Sequence, residues 1–373
     1  MRQLRRASFF AEASVLYWQP RLYGTEFGSE SLFINDLSQD IDEDEDEDDH
    51  KYGKPFQRKS TIKGCVNSVN LSWNWGFKAG IGYALPCLSW DICINYTGFT
   101  SKGSKSIRAF IDNEYIANYK SFLFNSFFPL SEFTEQGISI SRFLSKHAKS
   151  KVYISSDTLQ INLGKSFSIC ESLMLHPKLG LQFFWITLRQ NTCYFSTNPL
   201  LALQWNQNKL RNIFFNYAIS DCSKFSGIGL HFSFETEWHL YNNLCLYGNL
   251  SGALLSGLFK IRHKEAMNFS PSKKALEKIE EEEKKILALS KLNNCIHQLL
   301  HALVPSVNTQ IGLAYHASLN CDKIHCIFKV VFDMHYISRI NQILQIRDFS
   351  FQPERISEDL SMHGVTFDVR IDL

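Results

Sequence analysis

The chain has 373 residues, of which 14% are aromatic, including 30 Phe, and only 20% are charged. It is richer in rings and poorer in charge than most soluble domains. It contains no uninterrupted apolar run of the ~18 residues that a membrane-spanning helix needs, which excludes a helical membrane protein.

The formal net charge of +2 hides an asymmetry, because Asp42 to Asp49 is an unbroken run of eight acids. Without that run the chain would stand at about +10. The run lies in a segment, 35–59, that has no hydrophobic periodicity and is interpreted as a disordered acidic loop. The segment lacks the glycine spacing of a calcium loop, so we predict no metal site there.

The chain starts with basic residues from Met1 to Arg6, but no apolar stretch of a secretory signal follows them. Either the start codon is wrongly assigned or export takes an unusual route. Side chains from Phe9 to Trp18 then alternate with a period of two, which predicts a strand that ends before Pro20.

A hairpin is predicted next. From Trp73 to Leu85 every second residue is apolar, and after Pro86 the alternation resumes from Trp90 to Thr97. Each strand carries aromatic residues toward its ends and small aliphatic residues in its middle, as an aromatic girdle at a membrane interface requires.

The middle of the chain has a less regular hydrophobic pattern. Phe110 to Lys146 has no clear period and is left open between a strand, an inward-folded loop or both. Alternation returns around Leu159 to Leu163 and from Leu173 to Trp185. Two stretches are predicted to supply another one or two strands, namely Cys193 to Trp205 and Asn212 to Tyr217.

The most regular stretch is a long hairpin from Gly227 to Phe259. One side of it is aliphatic or Phe, and the other is mostly Gly, Ser and Asn with a few acids and a His. A soluble sandwich would place more Lys, Glu and Thr on its wet side. The pattern is typical of a transmembrane strand, with lipid on one side and a wet lumen on the other. A soluble sandwich or barrel remains the alternative.

The segment 268–296 is rich in helix formers and follows the cap-like Ser270-Pro271-Ser272, so we predict a charged helix in a long loop. His297 and His301 would share one face if the helix continued, with Cys295 nearby. No fourth ligand is evident, so a metal site is not predicted.

Three more strands close the chain, around Val307 to Tyr315, Phe328 to Tyr336 and Gly364 to Leu373. A chain that ends in mid-alternation needs its last strand paired, as in a barrel that closes terminus to terminus. The ten cysteines form no CxxC pair and are left open between disulfides and buried thiols. We predict an all-β, antiparallel transmembrane β-barrel of about 12 strands, range 10–16, as a single domain over residues 1–373.

The alternating stretches together resemble the pore-forming major outer membrane protein-like family of Legionella and Chlamydia-related bacteria. The stretches that carry the resemblance are Ala13–Trp18, Trp73–Pro86, Trp90–Thr97, Asp157–Gly164, Gly227–Leu230, Thr236–Trp238, Leu246–Ser251 and Gly364–Phe367. The resemblance implies a passive pore in the cell outer membrane. The sequence departs from the family in its two inserts, in the missing signal peptide and in ending on Leu373 instead of an aromatic residue.

A general diffusion pore for small hydrophilic solutes or ions is the main functional hypothesis. The predicted pore-lining residues are Lys78, Asn95, Gln160, Lys178, His231, Glu235, Asn249, Gln310, Lys329, Asp333, Asp368 and Arg370. The inward cations Lys78, Lys178, Lys329 and Arg370 favour anions, and the acids on the same faces, which include Glu237, oppose that preference.

No catalytic motif such as HExxH or GxSxG is present, so we expect neither an enzyme nor a cofactor. The expected partners are membrane lipids and lipopolysaccharide, the outer-membrane assembly machinery and small solutes, without nucleic acid; homo-oligomerisation is left open. Two alternatives to the pore remain. One is a structural or adhesive surface barrel with an occluded lumen, and the other is a soluble ligand-binding β-barrel.

Overall fold

The computed structural model describes residues 8–35, 60–85, 89–108, 120–122, 143–199, 215–241, 243–269, 293–319, 324–346 and 353–373. The regular elements in these ranges are all strands. They are β1 (Ser8–Leu22), β2 (Glu26–Asn35), β3 (Ser60–Ser68), β4 (Asn74–Leu85), β5 (Trp90–Arg108), β6 (Lys120–Phe122), β7 (Phe143–Lys165), β8 (Phe167–Ser168), β9 (Leu173–Pro199), β10 (Phe215–Tyr241), β11 (Leu244–Phe269), β12 (Asn293–Leu319), β13 (Ile324–Ile346) and β14 (Pro353–Asp372). The described part of the chain includes no helix long and apolar enough to cross a membrane.

Ten of these strands form one closed antiparallel barrel in the order β1, β4, β5, β7, β9, β10, β11, β12, β13, β14. The barrel closes between β14 and β1, which pair from Phe10 with Asp372 to Leu22 with Leu360. The short β8 pairs with β9 outside the wall, and β2, β3 and β6 form a separate small sheet. The antiparallel barrel is confirmed; its strand number is ten, at the lower end of the predicted range and below the central value of about 12.

The apolar side of each strand faces outward. Ile228, Phe232, Leu250 and Phe367 are 44–49% exposed, while their polar neighbours in the sequence point into the barrel. Successive residues of a strand point to opposite faces, so an outward apolar side requires the intervening polar side chains of the same strand to point inward. The predicted orientation of the two faces is therefore confirmed.

Two rings of aromatic side chains border the outward apolar band. The ring near the short turns contains Tyr83, Trp90, Trp238, Tyr241 and Tyr315. The other, called the upper girdle here, contains Tyr17, Trp73, Trp75, Trp185 and Tyr336, with the Tyr17 ring 5.1 Å from that of Trp73. The rings are about eight to ten residues apart along a strand, or roughly 20–25 Å for tilted strands, which matches the apolar band of outer-membrane barrels.

The two ends of the barrel differ in their connections. At one end the links are short, as between Tyr241 and Leu244. At the other end, the loop end, the links are long, and β5, β7, β9, β10, β11 and β12 continue past the upper girdle. Short turns are periplasmic and long loops extracellular in outer-membrane barrels, so the loop end faces the cell exterior.

Two strand predictions are corrected, and the structure places two histidines on a strand. β1 does not end before Pro20 but continues to Leu22, and Cys193 to Pro199 is not a new strand but the end of β9. His297 and His301 lie on β12 and not on a helix. A spacing of four puts two side chains on one face of a strand as well as of a helix, so the spacing alone could not separate these structures.

Both predicted inserts lie mostly outside the described residues. Asn35, at the edge of 35–59, belongs to β2 and pairs with Ser60, so the acidic segment 36–59 connects the two strands of a hairpin. The edges of 268–296 belong to β11 and β12, and the predicted helix within 270–292 lies outside the described ranges, as does most of 110–146.

A short strap folds inward from the end of β1 and crosses the barrel. Gly24 turns the chain at φ +79°, a left-handed conformation that favours glycine, and a Cβ there would also lie 2.9 Å from the side chains of Glu358 and Ile343. The strap then reaches β9 on the far wall. The Tyr194 hydroxyl donates to the Phe27 carbonyl at 2.6 Å, and the Gln190 amide donates to the Thr25 carbonyl at 3.3 Å.

Candidate functional site in the barrel lumen

The interior of the barrel has two layers. The lower lumen, on the short-turn side, is lined by charged and amide side chains at the height of the apolar band. The upper core is one apolar cluster that begins near the upper girdle and continues toward the loop end. Contacts between strands that are not neighbours in the sheet establish that both layers face inward.

The first charged chain in the lower lumen joins β5, β9 and β10. Lys178 Nζ donates to Glu235 Oε1 at 2.6 Å, and the other Glu235 oxygen is 3.4 Å from His176 Nδ1. His176 Nε2 lies 3.0 Å from Asp91 Oδ1, which reaches across the intervening β7. The carboxylates and the lysine are thus already partnered inside the wall.

A second charged chain is centred on Glu237. Its two oxygens lie 3.4 Å from Lys329 Nζ and 3.5 Å from His316 Nε2, so it links β10 to β13 and β12. The Lys329 ammonium also lies 4.2 Å from the centre of the Tyr247 ring, a cation–π contact. A single carboxylate therefore contacts the Lys329 ammonium and the His316 imidazole, which lie on two strands that are not its neighbours in the sheet.

A third charged group lies where the barrel closes. Arg370 Nε donates to Asp372 Oδ1 at 2.8 Å, its terminal nitrogen is 3.5 Å from Glu12 Oε1, and its guanidinium carbon lies 3.8 Å from the centre of the Phe10 ring. Ser14, the neighbour of Lys78 across the sheet, donates to Asp368 at 3.2 Å. These contacts tie the two ends of the chain together.

Amide side chains fill the space between the charged groups. Gln160 donates to Gln182 at 3.0 Å, and Asn249 donates to Gln310 at 3.1 Å. The buried His231 ring is 2.8 Å from the Asn162 oxygen, two strands away. Buried polar groups need such partners, and satisfied networks of this kind are rigid.

Trp18 marks the boundary between the two layers. Its indole N–H lies 3.3 Å from Asp333 Oδ2 and 3.2 Å from Thr366 Oγ1, on the lower side. On the upper side its ring packs at 5.6 Å from that of Phe99. One side chain thereby contacts a carboxylate oxygen of the buried Asp333 and begins the apolar cluster.

The upper core receives side chains from nine of the ten barrel strands, all except β4. Phe184, Leu255, Phe259, Ile337 and Leu360 are completely buried. The strap residue Phe27 joins the same cluster. The side chains of this cluster are at most 9% exposed, so they pack against one another across the barrel interior.

A small polar cavity of about 30 Å³, enough for roughly one water molecule, lies at the loop end of the core, beyond the apolar band. His263 lines it, with Nδ1 at 2.5 Å from Asp221 and Nε2 at 3.1 Å from Glu265. Burial by itself would lower the pKa of His263, but the hydrogen bonds to these two carboxylates raise it to about 9.

All twelve predicted pore-lining residues occupy inward-facing positions. Direct contacts join Lys178 to Glu235 and Asn249 to Gln310. Pairing across neighbouring strands places Asn95 beside Gln160, Gln310 beside Asp333, and Lys329 beside Asp368. His231 and Arg370 contact residues outside the predicted set, and Lys78 is paired across the sheet with Ser14 and Thr97. Their role in lining a pore stays a prediction.

Further charged or imidazole residues of the lower lumen are missing from the twelve predicted residues. They include Glu12, Asp91, His176, His316, His325 and Asp372, and also Glu237, whose inward position was predicted. The period-two pattern that selected the twelve marks these residues as well. The alternation identifies the face of a residue but not its depth along the barrel.

Within the described ranges, no group of three or more His, Cys, Asp or Glu side chains is arranged to hold a metal ion. His297 and Cys295 do lie close together, with Sγ and Nε2 3.2 Å apart on the outer face of β12. The seven cysteines whose side chains are described are free thiols.

A closed antiparallel barrel with an outward apolar band, two aromatic girdles and a polar lower lumen defines an outer-membrane β-barrel protein. The chain belongs to the family of the Legionella pneumophila major outer membrane protein precursor, whose family model matches residues 5–373. The predicted family and the predicted location in the outer membrane are therefore confirmed.

Among solved structures, the chain is similar to the outer membrane protease OmpT of Escherichia coli at 8% identity and a TM-score of 0.34, covering 98% of this chain and 96% of that one. It is also similar to a major outer membrane protein of Thermus thermophilus, at 8% identity, 99% and 100% coverage and a TM-score of 0.25. A FadL homologue of Pseudomonas aeruginosa matches at 8% identity, 98% and 90% coverage and a TM-score of 0.28. TM-scores this low carry no argument about the chain. No curated protein matches it.

Proposed function

We propose that the chain is a structural outer-membrane barrel whose lumen is closed and whose loop end is presented at the cell surface. The observation that carries the proposal is the upper core, to which nine of ten wall strands contribute and in which Phe184 and Phe259 are fully buried. A diffusing hydrophilic solute would have to displace this packed apolar layer.

The circumference of the barrel supports a filled lumen. Barrels of about eight strands have an interior that side chains just fill, whereas open aqueous channels are found at 16 to 18 strands. With ten strands, this barrel is close to the filled limit. The strap from Gly24 to Phe27 adds further atoms across the loop end.

The length of the wall supports presentation at the surface. β9 continues fourteen residues past Trp185, and β10 and β11 continue with it as paired strands. Their interior in this region is filled by the apolar side chains of the upper core and by the buried ion-paired group around His263, so the extension is a packed platform beneath the long loops.

The test is reconstitution of the folded protein into planar lipid bilayers. The closed barrel is expected to insert without discrete conductance steps, and insertion is verified independently by protease protection of the membrane-embedded strands. Regular steps from correctly inserted protein would refute the closed lumen.

A second candidate function is a narrow pore for small hydrophilic solutes or ions. It is favoured by the charged chains of the lower lumen, because ionisable groups at membrane depth are costly and commonly mark ion pathways. This candidate requires the upper core to move aside and predicts conductance steps in the same recording. Lys178→Met would alter the ion selectivity of those steps.

A further inference from the structure

The outer wall beyond the upper girdle carries many cations and few acids. Nine basic side chains point outward from β5, β7, β9, β10 and β11, and eight of them are exposed, Arg262 being half-buried. They are Lys102, Arg108, Lys149, Lys151, Arg189, Lys224, Lys260, Arg262 and Lys264. On the same stretches of these strands, the acids Asp221 and Glu265 face inward to His263. We call these nine side chains the basic belt.

Two members of the basic belt are placed directly against each other. Lys224 and Lys260 are paired residues of β10 and β11, and both are exposed. Like charges directly opposite one another destabilise a sheet. Among the described residues, neither lysine has a carboxylate within ion-pairing distance, so no described carboxylate forms an ion pair that would offset their repulsion.

The two lysines line an open groove of about 240 Å³ on the outside of the wall. Hydroxyl groups of Ser155, Thr187 and Ser226 line the same groove and can donate hydrogen bonds. Asp157 also lines the groove, where its Oδ1 accepts a hydrogen bond from the Tyr96 hydroxyl at 2.6 Å, so the two lysines outnumber the single carboxylate. Two ammonium groups and three hydroxyls form a donor set suited to a phosphate.

The position of the groove indicates where such a phosphate comes from. Trp185 and Leu258 form its lower edge, and both continue the apolar band that contacts lipid tails. A ligand with its anionic group between the lysines would therefore have its apolar part alongside the band. The groove lies on the loop side of the band, which is the outer leaflet.

We propose that this groove binds the phosphate group of a phosphorylated glycolipid of the outer leaflet, with Lys224 and Lys260 as the two cationic contacts. Ser155, Thr187 and Ser226 supply neutral donors, and Trp185 and Leu258 contact the first carbons of the acyl chains. The rest of the basic belt, from Lys102 to Lys264, raises the local concentration of the anionic headgroups above the site. The proposal does not depend on whether the lumen is open.

The test uses the full chain folded in a non-ionic detergent and titrated with diphosphorylated lipid A in the same detergent, with the bound fraction read by native mass spectrometry. Parallel titrations use the same glycolipid without its phosphates, and inorganic phosphate alone. The matched variants are Lys224→Gln with Lys260→Gln, and Lys149→Gln with Lys151→Gln. Both remove two charges, but the second pair lies four to six residues beyond Ser155 on β7.

The groove variant is expected to lose at least tenfold in affinity for the phosphorylated glycolipid, and the control variant less than threefold. Removal of the phosphates should reduce the affinity of the parent protein to a similar extent. Each single variant is measured as well, and folding is checked by heat-modifiable electrophoretic mobility.

Four outcomes would overturn the proposal. Equal losses of affinity in both variants would mean that the glycolipid is attracted by the overall positive charge of the wall. An unchanged affinity in the groove variant would mean that Lys224 and Lys260 do not contact the phosphate. Competition by inorganic phosphate at equal concentration would indicate a site for free anions. Binding that appears only after deletion of Asp42 to Asp49 would identify the chain's own acidic run as the occupant.

Discussion

The lower lumen and the upper core fill the same barrel by opposite means. The lower lumen is held by directional contacts such as Lys178 to Glu235, whereas the upper core is held by apolar burial around Phe259. Ion pairs inside a protein roughly repay their desolvation, but breaking one leaves a costly unpaired charge. Apolar burial contributes stability outright, at about 25 cal/mol for each Å². The upper core is therefore expected to supply most of the free energy of unfolding. The lower lumen is expected to fix the register of the strands and a single arrangement of the inward side chains.

The largest effect is expected in the upper core. Phe259→Ala removes a completely buried ring packed at 4.6 Å from that of Phe225 and should lower the free energy of unfolding by about 3–5 kcal/mol. The measurement is guanidinium unfolding of the protein in phosphatidylcholine vesicles, followed by tryptophan fluorescence. Phe234→Ala, on the lipid-facing side, is the control and should cost less than half as much. Equal losses of stability in the two variants would contradict the expectation that a ring buried in the upper core stabilises the protein more than a lipid-facing ring.

The next effect tests the pairing in the lower lumen. Lys178→Met leaves Glu235 with a buried charge that lacks its closest partner, and should cost about 3 kcal/mol in the same assay. Adding Glu235→Leu removes the stranded charge and should recover most of that loss. If the double variant is less stable than Lys178→Met, the two side chains are not energetically coupled in the way their 2.6 Å contact implies.

A smaller effect concerns pH and the loop end of the upper core. With a pKa of about 9 in the folded protein, His263 binds its proton more tightly than in the unfolded chain, where the value is near 6.5. Its contribution is fully present below about pH 6.5 and is lost as the pH rises through about 9. We expect about 2 kcal/mol of stability to disappear over that interval. His263→Gln should remove this part of the pH dependence, and an unchanged profile would refute it.

The smallest effect lies at the boundary of the two layers. Trp18→Phe keeps the packing against Phe99 but removes the indole N–H that lies beside Asp333 and Thr366. The expected loss is about 1 kcal/mol, the usual worth of such a hydrogen bond. Equilibrium unfolding of Trp18→Phe and Trp18→Ala side by side separates the hydrogen bonds from the packing. A loss in Trp18→Phe as large as in Trp18→Ala would place the whole contribution in the polar contacts.

Much of the wall could be predicted because strand alternation is local. The outward position of Ile228 and the inward position of Asn249 follow from a period of two that is visible within a few residues. The twelve predicted pore-lining residues lie on inward-facing positions for the same reason. The strand number was less accurate, since alternation does not reveal which strands join the wall and which, like β2 and β3, pair outside it.

The contents of the lumen could not be predicted in this way. The contact of Ser14 with Asp368 joins residues 354 positions apart, and the strap reaches from Phe27 to Tyr194 across the barrel. Neither contact leaves a local pattern. The prediction of a diffusion pore took the polar inner face to enclose water, and that pore stays a prediction. In a ten-strand barrel the inner face is also close enough for side chains of strands that are not neighbours to pair, as His176 does with Asp91.

The sequence by itself determined which face of each strand meets lipid. Apolar residues recur at every second position, and a polar side chain turned toward lipid would cost free energy. Only the tertiary structure decided that the interior is filled, because this depends on the circumference of the closed sheet and on its register. The circumference and the register determine whether inward side chains such as Lys178, Glu237 and Phe259 face water or contact other inward side chains.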